Sequence, residues 1–160
     1  MKEVCLDDLK KEYEPLRKKY KLDDFSKLNE NFEIEKIQER ETEFLLREIR
    51  RAVSEKIAAF LRFFELFVSP QSSPVFVMTH LKNLSAKEKE IIEKMYLELV
   101  KIELTAVTLD IVYNEAKEAE FIKETTRKWY VMQPQIKSVA NIILKVEPNV
   151  VEKKGKSYFG

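Results

Sequence analysis

The sequence predicts an all-α fold, a helical bundle built on two long antiparallel helices with shorter N- and C-terminal helices. Three observations carry this reading. Glycine occurs only at Gly155 and Gly160, and no Asn-Gly or Asp-Gly pair is present to close a tight hairpin. Apolar residues recur at intervals of three and four over long stretches, the period of a helix with one buried face. Helix breakers are few, with prolines at 15, 70, 74, 134 and 148.

The elements follow in order. Leu6, Leu9, Tyr13, Leu16 and Tyr20 mark an amphipathic helix over residues 4–20. Pro15 should kink it or split it in two, because it removes a backbone bond to Lys11. Asp23 or Asp24 is placed to cap a short turn ending near Asn31. From Ile34 to Val68 there is neither glycine nor proline, and Leu46, Ile49, Val53, Ile57, Phe60, Phe63, Phe64 and Phe67 share a face. One long helix is predicted here. The segment at residues 69–74 ends it, and Ser73 with Pro74 is placed to cap a short helix through Leu81.

Ser85 with Glu88 forms a capping box ahead of a second long helix. Its far end is ambiguous, since Thr108, Ile111 and Val112 are weak helix formers and no breaker follows until Pro134. Pro134 is expected to open a last helix, ended by Pro148. Residues 1–148 thus read as a single helical domain. Residues 149–160 read as a basic tail ending in Tyr158 and Phe159.

At 160 residues and 44% apolar content the chain suits one domain with a real core. The absence of glycine before residue 155 excludes P-loops, dinucleotide-binding turns and nucleophile elbows, which need backbone positions that glycine alone occupies cheaply. Charge balances at +1, so no global field gathers nucleic acid or anionic lipid. With 22 Lys and 23 Glu against four Gln and one Cys, the composition is that of hyperthermophile proteins. Cys5 has no partner for an internal disulfide, and the start MKEVCLDDLK has no apolar stretch of a signal peptide, which places the protein in the cytoplasm. The longest uncharged run, Leu66 to Leu81, is broken by prolines and serines, so no membrane association is expected.

No catalytic, cofactor or metal site is predicted. The only histidine, His80, has no Glu three residues before it to make a di-iron motif. The pairs Glu90/Glu93 and Glu115/Glu118 could hold magnesium only from facing helices, and they read as solvated charge. More informative are charges on apolar stripes. Lys56 lies among Val53, Ile57, Phe60 and Phe63, while Glu103, Asp110 and Asn114 lie along the second long helix. Three readings of Lys56 stand: an acid–base site with a carboxylate, a structural ion pair with Glu103 or Asp110, or an outward snorkel. Arg17, Lys18, Lys19 and Lys21, with Arg47, Arg50 and Arg51, form a candidate nucleic-acid patch, although seven acidic residues between Glu30 and Glu48 lie nearby in sequence.

The phrase IleArgArgAlaValSerGluLysIle at 49–57, with LeuSerAlaLysGluLys opening the next long helix at 84–89, resembles the helical domain of GINS replication proteins. More broadly, the chain resembles small archaeal all-helical proteins of unknown function. The GINS resemblance implies a role in nucleic-acid metabolism. It also implies a small β domain, for which no segment is identified here.

Function reads first as a non-catalytic interaction or scaffold protein. The alternatives are a nucleic-acid accessory protein working through the basic patch, and a ligand-binding or enzymatic bundle around Lys56. A protein partner is expected, and a homodimer would cover the long apolar stripes. Lys156, Tyr158 and Phe159 either fold back onto the domain or anchor a partner.

Overall fold

The structure, a computed structural model, describes residues 5–39, 43–69, 71 and 73–145. Lys156, Tyr158 and Phe159, the candidate docking tail, lie outside the described residues. The elements are α1 (Leu6–Tyr20), α2 (Phe25–Phe32), a 3-10 helix (Ile34–Glu39), α3 (Leu45–Val68), α4 (Val75–Asn83), α5 (Ala86–Ile111) and α6 (Glu115–Lys145), with no strand among the described residues. No helix among them is long and apolar enough to cross a membrane.

Three long helices, rather than two, make the centre: α3 packs on both α5 and α6, and α5 on α6. The helix expected from Ile34 begins only at Leu45. Ile34 and Ile37, three residues apart and both buried, suit the three-residue turn of a 3-10 helix. Six polar residues follow Ile37 and would carry no core face on a continuous helix. Phe44 then starts α3 without a side-chain cap, its ring 4.1 Å from that of Tyr113. Ser73 does not cap α4; its hydroxyl donates to the carbonyls of Leu66 and Ser69 and closes the end of α3.

Pro134 departs from expectation, since it opens no helix, and Pro15 does not split α1. Pro15 sits inside α1 and Pro134 inside α6. Both are exposed, so the carbonyls they leave unbonded four residues earlier can turn toward water. The last long helix begins instead at Asn114, whose Oδ1 accepts the Lys117 N–H at 3.0 Å. The Ser85–Glu88 capping box is present, and Asp24, not Asp23, caps α2.

The core of α3 is Leu46, Ile49, Val53, Ile57, Phe64 and Phe67, facing Met95, Leu99, Ile102 and Ala106 of α5 and Phe121, Ile122 and Trp129 of α6. Phe63, expected on this face, is 38% exposed. Trp129 stacks near Phe60 and Phe32, and its indole N–H donates to Asn31 Oδ1 at 3.3 Å, fixing α2 against α6. Asp23 makes a second tie: its carbonyl accepts the Tyr13 hydroxyl at 2.6 Å and its carboxylate the Tyr130 hydroxyl at 2.9 Å.

Two predictions follow from this packing. Phe64, fully enclosed, should cost about 3–5 kcal/mol when cut to Ala, which at this chain length lowers Tm by roughly 6–20 °C; F63A, on a partly exposed ring, should cost clearly less. Equal losses in thermal melts would refute the core assignment. Burial first, and Asp23 second, push the Tyr13 and Tyr130 phenols above their ordinary range. A raised tyrosine pKa favours the neutral form in the folded state, so this stability is whole below about pH 10 and is lost as pH rises above it. Stability measured by denaturant melts above pH 10 should fall less steeply in Y130F; an unchanged slope would contradict the assignment.

Candidate functional site

The most concentrated polar chemistry lies where the start of α3 meets the end of α5 and the start of α6. Arg50 is 2% exposed and Glu118 fully buried. Arg50 Nε donates to Glu118 Oε2 at 2.9 Å, and its Nη2 donates to Asp110. Arg47 adds a longer contact, Nε to Glu118 Oε1 at 3.5 Å, and its guanidinium lies over the rings of Phe44 and Tyr113. Arg51 pairs with Glu48 and reaches Asp110 at 3.8 Å.

Electrostatics follow the geometry. Burial alone would lower the Arg50 pKa, but the hydrogen bonds to Asp110 and Glu118 more than offset this and hold it above its ordinary value. The Arg50 hydrogen bond holds the Asp110 carboxyl below the usual carboxylate range. Beside this hub, Lys19 and the Tyr20 hydroxyl both donate to Glu115 Oε1 at 2.8 and 2.7 Å, tying α1 to α6 and lowering the Glu115 pKa.

The hub reassigns several sequence candidates. Asp110 and Asn114 do not face Lys56: Asp110 takes Arg50, and Asn114 is an exposed helix cap. Among the described residues no carboxylate lies within ion-pair distance of Lys56. It is half-buried in a shallow groove with Glu30, Asn31, Phe60, Trp129 and Lys137. Glu103 is also separate, its Oε2 enclosed without a hydrogen-bond partner among the described residues.

The basic candidates do not make one open surface. Arg50 is internal and Arg47 is mostly covered. Arg17 makes two hydrogen bonds to Glu14, Lys18 also reaches Glu14, and Lys19 is held by Glu115. Lys21 ends α1 in a left-handed conformation, beside a groove that mixes Asp23, Glu120 and Glu124 with Lys27, Lys123 and Arg127. The acidic pairs are likewise engaged, Glu90 with Lys94 and Glu118 in the hub. No group of three or more His, Cys, Asp or Glu side chains that could hold a metal occurs among the described residues.

Two features escaped the sequence reading. Glu118 looks like surface charge on a polar helical turn, and only its position opposite Arg50 makes it internal. The other is apolar surface left open at the end of the bundle where α3 passes into α4. Phe63, Val68, Val75, Phe76 and Met78 are all exposed there, Val75 at 81% and Phe76 at 59%. The uncharged run from Leu66 to Leu81 was the available signal. His80 lies in α4, with its Nδ1 enclosed and without a partner among the described residues and its ring 6.4 Å from that of Phe76. Comparison with known proteins finds no matching family model, no matching curated protein and no matching solved structure.

Removing Arg50 should strand the enclosed Glu118, whereas the half-exposed Asp110 keeps Arg51 beside it. R50M is expected to cost about 3 kcal/mol, the lower end for a broken buried pair, because Arg47 stays near Glu118. The double variant R50M/E118M should recover much of the loss, since replacing both charges by apolar groups is often neutral. A double-mutant cycle by denaturant melts measures this, and an R50M variant as stable as the parent would overturn the hub.

Proposed function

We propose that this protein is a non-catalytic helical interaction module, a scaffold that presents apolar helix surface to a protein partner. The observation that carries the reading is the exposed aromatic and aliphatic surface at the α3–α4 end, where Phe63, Val75, Phe76 and Met78 stand in solvent. Aromatic and methionine side chains are enriched at interaction surfaces and dominate binding energy when buried there. In our reading the frame behind it is an antiparallel bundle, supported by the Arg50–Asp110 contact between the first turns of α3 and the last turn of α5.

The nucleic-acid alternative draws less support from the geometry, because the cations it needs are already paired with carboxylates, and phosphate binding requires free cations on a common surface. The Lys56 alternative lacks its expected carboxylate. Both remain distinguishable by experiment.

The test is site-specific photocrosslinking in the native host. A photoreactive residue at position 76 should give one dominant adduct, identified by mass, whereas the same residue at the exposed, charged position 11 on α1 should not. No specific adduct at 76, or salt-sensitive recovery of nucleic acid in its place, would overturn the proposal.

A further inference from the structure

Helix α5 is apolar on two opposite faces. Its inner stripe of Ile92, Met95, Leu99, Ile102, Ala106 and Leu109 is buried. A second stripe, Leu97, Val100, Leu104, Val107 and Ile111, runs at intervals of three, four, three and four residues along the side away from the core. Leu97, Leu104, Val107 and Ile111 are exposed, from 49% to 79%. A single exposed leucine needs no explanation, but a continuous stripe does. A helix apolar all round is normally buried all round, and α5 buries only half of itself. The alternating spacing is that of a coiled-coil seam.

We propose that the outer stripe of α5 binds a second copy of this chain through the same stripe, the two helices running parallel about a two-fold axis along their length. The stripe carries no charge, so copy against copy buries none. Its flanks differ in composition: Glu103 and Asp110 line the side toward α3, whereas Lys94 and Lys101, paired within α5 to Glu90 and Glu98, line the side toward α6. A two-fold along the helices sets the acidic flank of one copy against the lysine flank of the other. A two-fold across the helices sets acid beside acid, which is disfavoured. Asp110 already has Arg50 and Arg51, and Glu103 has one carboxylate oxygen enclosed without a hydrogen-bond partner among the described residues.

Area points the same way. Together with Val112, which is 72% exposed, the stripe leaves on the order of 500 Å² of apolar surface open, the size of the largest patch on a typical monomer, which is often functional. Two such faces bury about 1,000 Å² or more once the flanks close, the lower bound of a specific interface. The contact is bounded on one side by Glu90 and Glu93, which occupy the next positions of the stripe, and by the end of α5 at Ile111 on the other.

This interface lies on α5 and stands apart from the α3–α4 surface. In light scattering from about 1 to 100 μM, the full chain should form a dimer. L104E places a charge in the seam at a solvent-exposed position, so it should give a folded monomer with unchanged helical circular dichroism. L144E, exposed but off the seam, should remain dimeric. On a C5S background, L97C alone should form an interchain disulfide under mild oxidation, as the parallel arrangement requires. A monomer at every concentration, an L104E variant that remains dimeric, or a disulfide formed only when L97C is mixed with I111C would each overturn the proposal. A monomeric L104E variant that still gives the adduct at position 76 separates this interface from the partner surface.

Discussion

The buried Arg50–Glu118 pair is the constraint around which the rest of the molecule is arranged. Two opposite charges, one 2% exposed and the other fully enclosed, are tolerable only together, because an isolated charge in the interior would carry a desolvation penalty of several kcal/mol. Arg50 belongs to the second turn of α3, Glu118 to the first turn of α6 and Asp110 to the last turn of α5. Keeping their contacts therefore fixes three helix ends relative to one another. The break between α5 and α6 follows from the same geometry: a continuous helix would carry Asp110 and Glu118 about 12 Å apart along its axis, too far for one guanidinium to bind both.

The aromatic ties work outward from that hub. Arg47 lies over Phe44 and Tyr113, so the entry to α3 and the α5–α6 linker are held by the same guanidinium that approaches Glu118. Farther along α6, Trp129 packs on Phe60 of α3 and Phe32 of α2, and Tyr130 bonds to Asp23. The shorter N-terminal elements are thus attached to α6 at points where an apolar ring also carries a hydrogen-bonding atom. Such contacts combine burial with direction, which apolar contact alone does not provide.

Much of the organisation was legible because it rests on local rules. Capping by Ser85 and Asp24 depends on residues a turn apart, and the buried spacing of Val53, Ile57, Phe64 and Phe67 repeats with the helix. Pro134 misled for a reason that is not local. A proline inside a helix leaves a carbonyl four residues earlier without its bond, and at an exposed position water can take that carbonyl. The site candidates fared unevenly because burial is a property of the face a neighbouring helix covers. Arg50 and Arg51 are adjacent in a basic run, yet one is internal and the other is half-exposed. Lys56 and Arg50 both lie near the apolar stripe of α3, yet among the described residues Arg50 bonds to carboxylates and Lys56 makes no ion pair.

The amino-acid order by itself determined the helical class, the capping of α5, the interruption after Val68 and the balance of charge, and it narrowed the α2 cap to Asp23 or Asp24, since each depends on composition or on residues within one or two turns. Tertiary structure alone decided where α3 and α6 begin, which arginine is buried, that Glu118 is internal, and which of the two apolar faces of α5 meets the core. Both faces of α5 carry the same helical period, so the period alone does not distinguish them. The choice falls to whichever side brings Asp110 to Arg50, a contact between residues 60 positions apart.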